Sequence, residues 1–148
     1  MRYKMIYILF LIFLLITIPY VITVFLSQQD KNIQFENYDS GYQVISGNDK
    51  DDLETYLLKI LPGQISMDQE NEAVKAQAVI LRTDIIRRME NKKQIARQKL
   101  PYTTYENSEY RKKLGNRSYQ SMDQKRKKSV SETRGKVITY KNKLIEPY

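Results

Sequence analysis

Residues Met5 to Leu26 form a run of 22 residues without a charge. A run of that length can cross the roughly 30 Å hydrocarbon layer of a bilayer as one helix. A cleaved secretory signal has a shorter apolar core, about 7–15 residues, and small residues at its cut site. Val24-Phe25-Leu26-Ser27 offers no such site, so the run is expected to be an uncleaved single-pass anchor. Pro19 lies inside it, where lipid-buried helices tolerate a kink because the freed carbonyl is re-satisfied locally. Arg2 and Lys4 precede the run, and only Lys31 lies among the first 20 residues after it. The positive-inside rule then keeps residues 1–4 in the cytoplasm and exports the bulk of the chain. What remains after residues 5–26 has room for one small domain.

The chain has no cysteine and no histidine. Disulfides are excluded, and so are metal sites built on Cys or His ligands and every catalytic scheme that needs imidazole. No metal and no cofactor is expected, and any chemistry must come from carboxylates, Lys, Tyr or Ser.

Residues 27–50 read as a linker, with a short strand at Tyr42-Gln43-Val44-Ile45 ahead of the turn signal Ser46-Gly47-Asn48. From residue 51 to 148 the pattern predicts a small α+β domain. Asp51 reads as an N-cap with Glu54 three residues on, and Leu53, Tyr56, Leu57 and Ile60 make one apolar helical face that ends at Pro62-Gly63. A second helix is expected from about Ser66, burying Ala73, Ala76, Val79, Ile80, Ile86 and Met89. The aliphatic pattern then dissolves. Residues 92–128 interleave Tyr102, Tyr105, Tyr110 and Tyr119 with clustered Lys and Arg, which predicts a basic, tyrosine-rich region of loops and short helices. Val137-Ile138-Thr139-Tyr140, a turn at Lys141-Asn142 and Leu144-Ile145 close the chain as a β-hairpin.

Two blocks resemble a known family. Leu53-Glu54-Thr55-Tyr56 runs without a gap into Glu72-Ala73-Val74-Lys75-Ala76-Gln77-Ala78-Val79 and Arg82-Thr83; the second block is Glu132-Thr133-Arg134-Gly135-Lys136-Val137-Ile138-Thr139-Tyr140. Both are similar to the stage II sporulation protein D (amidase-enhancer) family, of which this chain looks like a truncated member. The resemblance implies an extracytoplasmic protein of sporulation and cell-wall remodelling. It also implies a lytic transglycosylase of peptidoglycan, in which one Glu protonates the departing glycosidic oxygen and then takes the proton of a ring-closing hydroxyl. That Glu begins a Glu-Met-Pro triplet. The same three positions here are Gln64-Ile65-Ser66, and Lys59 stands where the family has Gly. A neutral carboxamide cannot donate the proton.

The resemblance therefore implies a pseudoenzyme: a membrane-anchored wall protein with Gln64 at the position of the lost general acid. Arg82, Lys75 and Gln77 are its candidate substrate contacts, or equally plain packing residues. The alternatives are an active transglycosylase in which Asp68, Glu70 or Glu72 has taken over, and a truncated copy without function. From Arg82 to Lys143 there are 19 Lys or Arg against six acids. In the expected topology that charge faces glycan strands, anionic wall polymers or lipid head groups rather than nucleic acid. A wall amidase is a further candidate partner.

Overall fold

The structure, a computed structural model, describes residues 2–29 and 39–146. The chain divides into two units, 1–34 and 35–148. The described residues of the first form one helix, α1 (Arg2–Gln29), which contains the stretch Ile6–Thr23 with mean hydropathy 2.6. By length and composition α1 is able to cross a membrane. Its Thr17 and Thr23 hydroxyls donate to the carbonyls of Phe13 (2.9 Å) and Pro19 (2.7 Å), so neither presents an unsatisfied polar group to an apolar surrounding. Part of the expected linker, residues 30–38, lies outside the described residues.

The second unit is α+β. Strand β1 (Gln43–Ser46) turns at Gly47 and Asn48 into β2 (Asp49–Asp52), antiparallel to it. β3 (Gln94–Ala96) pairs parallel on the other side of β1, giving the order β2-β1-β3 with Val44 opposite Ile95. A parallel pair needs a long crossover, and two helices supply it: α2 (Leu53–Ile60) and α3 (Asn71–Arg88). The short strand expected before Ser46-Gly47-Asn48 is present as β1. Its partner β2 was not foreseen, because Asp-Lys-Asp-Asp has no strand propensity. The tight turn imposes the pairing.

That pairing also shifts the first helix cap. β2 carries the chain one residue further than the capping pattern suggested, so Asp52, not Asp51, is the N-cap and accepts from the Glu54 backbone N–H (3.0 Å). Asp52 also holds the Ser40 hydroxyl at 2.6 Å, while Asp51 pairs with Lys59 Nζ at 2.7 Å. The expected face of α2 is confirmed: Leu53, Tyr56, Leu57 and Ile60 are all buried. The start and the face of α3 need correction. The helix begins at Asn71, because Met67 is drawn into the core and the chain turns through 66–70 first. Its buried stripe is Val74, Ala78, Leu81, Ile85 and Met89, whereas Ala73 and Ala76 are exposed. Apolar residues lie all round this helix, so their spacing did not single out one face.

The largest correction concerns residues 92–128. Apart from β3 and one 3-10 turn (Arg97–Lys99), this stretch holds α4 (Asn107–Leu114) and most of α5 (Asn116–Glu132). α5 is 17 residues long and packs on α2, α3 and α4. Its inward face is Tyr119, Met122, Asp123, Arg126, Ser129 and Val130, a helical repeat written largely in polar letters. Arg126 makes this work. Its buried guanidinium donates to the Leu58 carbonyl (3.0 Å), to Asn107 Oδ1 (3.0 Å) and to Asp123, and lies 5.6 Å from the centre of the Tyr110 ring. Tyr110 in turn meets Tyr119 edge to face at 6.1 Å.

The expected C-terminal hairpin forms as β4 (Thr139–Tyr140) and β5 (Lys143–Leu144). Lys141 and Asn142 both have positive φ, +49° and +61°, the two-residue turn whose twist suits a hairpin. The Ile138 N–H donates to Thr83 Oγ1 at 3.0 Å, which fastens the hairpin to α3.

Candidate functional site

α2 ends in a 3-10 turn, Leu61–Gly63, where Pro62 cannot continue the α-helical ladder. The N–H groups of Gln64 and Ile65 both return to the Leu61 carbonyl, at 3.0 and 3.2 Å. This closes the turn and leaves Gln64 exposed at its tip. Gly63 packs closely there: a Cβ would sit 2.6 Å from Cε2 of Tyr105, so that ring would have to shift. The Tyr105 backbone is itself fixed by a 2.8 Å bond from its N–H to the Lys59 carbonyl.

Gln64 stands on one wall of a groove of about 410 Å³. Ile65, Met67 and Asp68 continue that wall, and Tyr110, Leu114 and Met122 form the facing one. Burial pushes the Tyr110 phenol up, against the lowering pull of Arg126, so it remains a neutral hydrogen-bonding group at physiological pH. Past Met67, Asp68 and Met122 a second trough of about 540 Å³ runs along α5, beside Arg117, Ser118, Ser121 and Lys125. Lys125 Nζ donates to the Gln69 carbonyl and ties α5 to the 66–70 turn. Both hollows mix apolar side chains with polar and charged groups.

The expected substrate contacts lie elsewhere. Arg82 is 1% exposed and its donors face inward. Nε and Nη2 make a bidentate pair with Glu54, 2.8 and 2.7 Å, and Nη1 and Nη2 reach the Lys136 carbonyl (3.1 Å) and Thr133 Oγ1 (3.4 Å). Lys75 pairs with Glu72 (2.8 Å) and Glu132 (2.6 Å), bonds that push its ammonium pKa up. Gln77 is half-buried on α3. None of the three lines the groove that holds Gln64.

The groove residues that the sequence did not announce are Met67, Tyr110, Leu114 and Met122. Three of these come from α4 and α5, the helices hidden in the tyrosine-rich stretch. Their signal was there: Tyr119, Met122, Arg126 and Val130 recur at helical spacing once Tyr, Met and Arg are allowed to face inward.

Of the three carboxylates that could replace the missing acid, only Asp68 lines the groove. It is exposed, and its carboxylate meets the Ser66 hydroxyl at 3.3 Å. Glu70 is the exposed residue before α3, and Glu72 is paired with Lys75.

A sequence profile of the family described as stage II sporulation protein, SpoIID, matches residues 39–140. Comparison with curated proteins and with solved structures gives no match. The matched span takes in the sheet, α2 to α5, the Gln64 groove and the Glu54–Arg82 pair, and on that match over more than half of its length the chain belongs to the SpoIID family.

Proposed function

We propose that this protein is a cell-wall-associated member of its family that holds a peptidoglycan glycan strand in the Gln64 groove without cleaving it. The observation that carries the reading is the residue at the tip of the 3-10 turn: a carboxamide sits on the groove wall at the position where the resemblance puts the acid. Gln64 can still donate to and accept from sugar hydroxyls, but it has no proton to give to a leaving oxygen. The apolar helix α1 supports a membrane anchor, with the second unit outside the cytoplasm. Arg82 supports the fold rather than the strand, since its donors are satisfied inside the domain.

A second reading has one observation in its favour. Asp68 lines the same groove and is a carboxyl group. A glycosidase acid works best where apolar surroundings keep it protonated, and Asp68 is exposed. The test is to incubate the full-length protein, in neutral detergent, with purified glycan strands. Anhydro-muramyl ends and retention on insoluble wall are then measured together. The expected outcome is retention with no new ends. Ends produced by the wild type and lost in Asp68→Asn would establish the second reading. No retention at low salt would remove the glycan-binding proposal.

A further inference from the structure

We propose that a second site, separate from the Gln64 groove, binds the phosphate groups of a phosphodiester polyanion. It is a pocket of about 580 Å³ built where three stretches distant in sequence converge: Tyr42 ahead of β1, the end of α3 with the connector that follows it, and the C-terminal hairpin. Tyr42, Ile86 and Leu144, all half-buried, give it an apolar floor. Lys92, Lys93 and Lys143 stand exposed around that floor, with Arg87 beside them.

The backbone is bent to make this convergence. Glu90 and Asn91 both adopt positive φ, +49° and +66°, a conformation uncommon outside glycine. It reverses the chain straight after α3 and places Lys92 and Lys93 at the pocket. The turn at Lys141 and Asn142 brings Lys143 to the same place.

The pocket's cations differ in their partners. Arg87 is engaged by Asp84 (3.2 Å) and Glu146 (3.0 Å). Among the described residues, Lys92, Lys93 and Lys143 have no such ion pair, and Glu90 is the one carboxylate lining the pocket. Three like charges gathered on one concave surface repel one another unless an anion joins them.

Ammonium groups are compact point charges that bind phosphate oxygens without demanding a fixed bidentate geometry. The lysines are exposed around the rim rather than enclosed, which fits successive phosphates of a chain. This site shares no residue with the Gln64 groove, so it stands whether or not glycan binds there.

The test uses the full-length protein in neutral detergent and measures affinity for soluble poly(glycerol phosphate). Monomeric glycerophosphoglycerol, the headgroup unit of an anionic lipid, is the second arm. Poly-glutamate of matched charge is the third. The triple variant Lys92→Gln/Lys93→Gln/Lys143→Gln is compared with Lys50→Gln/Lys112→Gln/Lys136→Gln, which loses the same charge elsewhere. The expected result is that the pocket variant binds the phosphate polymer about ten-fold more weakly while the control changes less than about two-fold. Lysine-dependent binding of the monomer as well shows that a single phosphodiester suffices; dependence for the polymer alone shows that successive phosphates must be engaged together. Equal losses in both variants, equal affinity for poly-glutamate, or no binding by the wild type would overturn the proposal. Circular dichroism melts of both variants separate lost binding from lost folding.

Discussion

The Glu54–Arg82 pair shows a residue of the family resemblance tied into the interior of the domain. Each partner is 1% exposed, and their bidentate contact is surrounded by the Thr133 hydroxyl and the Lys136 carbonyl. Glu54 and Arg82 come from the first block of family resemblance, Thr133 and Lys136 from the second. The two blocks are thus distant in sequence and meet at one buried guanidinium. Removing one partner of such a pair strands the other charge in the interior, at a cost of about 3–5 kcal/mol, whereas replacing both with apolar residues of similar volume is often close to neutral. We therefore expect Arg82→Met to lose most of the domain's stability in urea unfolding, and Arg82→Met/Glu54→Leu to recover much of it. Wall retention should follow stability in both variants. An Arg82→Met protein that folds normally yet fails to bind glycan would show that Arg82 touches the strand after all.

At the level of elements, the legible parts were those whose buried face is aliphatic. Leu53, Tyr56, Leu57 and Ile60 announced α2, and Val44 announced β1. The sequence was opaque where polar side chains do the packing. α5 turns Tyr119, Asp123, Arg126 and Ser129 inward, and a reading by hydrophobicity takes such a stretch for a loop. It was opaque too where apolar residues surround a helix, as in α3. The joint between α4 and α5 carries its own signal in Gly115, which has φ +76° and ψ 158°. That combination is essentially confined to glycine and strains other residues by about 1–3 kcal/mol. No atom lies within 4 Å of a Cβ placed there, so the constraint is backbone alone. Gly115→Ala is expected to lower stability by an amount in that range. It should also loosen the wall of the groove formed by Leu114 and Met122, weakening glycan retention by more than a surface Ala substitution such as Gln124→Ala.

For the whole molecule, the question is what the fold does with position 64. The helix, the 3-10 turn at Pro62 and the close contact of Gly63 with Tyr105 together aim that side chain at a groove whose far wall is α4 and α5. The placement was legible as an alignment position; the groove was not, because half of it is made by the helices the pattern concealed. The structure also says what restoring the acid would achieve. Gln64 is exposed, so a glutamate at its place would titrate near the ordinary value of about 4.3 and be protonated in only about one molecule in 500 at pH 7. Catalysis of glycosidic cleavage needs that proton at the moment the bond breaks. Gln64→Glu is therefore expected to bind strands as the wild type does, to form anhydro-muramyl ends slowly at neutral pH, and to accelerate roughly ten-fold per unit as pH falls towards 5. The wild type should stay silent across the same range. A Gln64→Glu protein already fast at pH 7 would mean that bound glycan closes the groove around residue 64 and dries it, so that the unliganded exposure understates what the site can do.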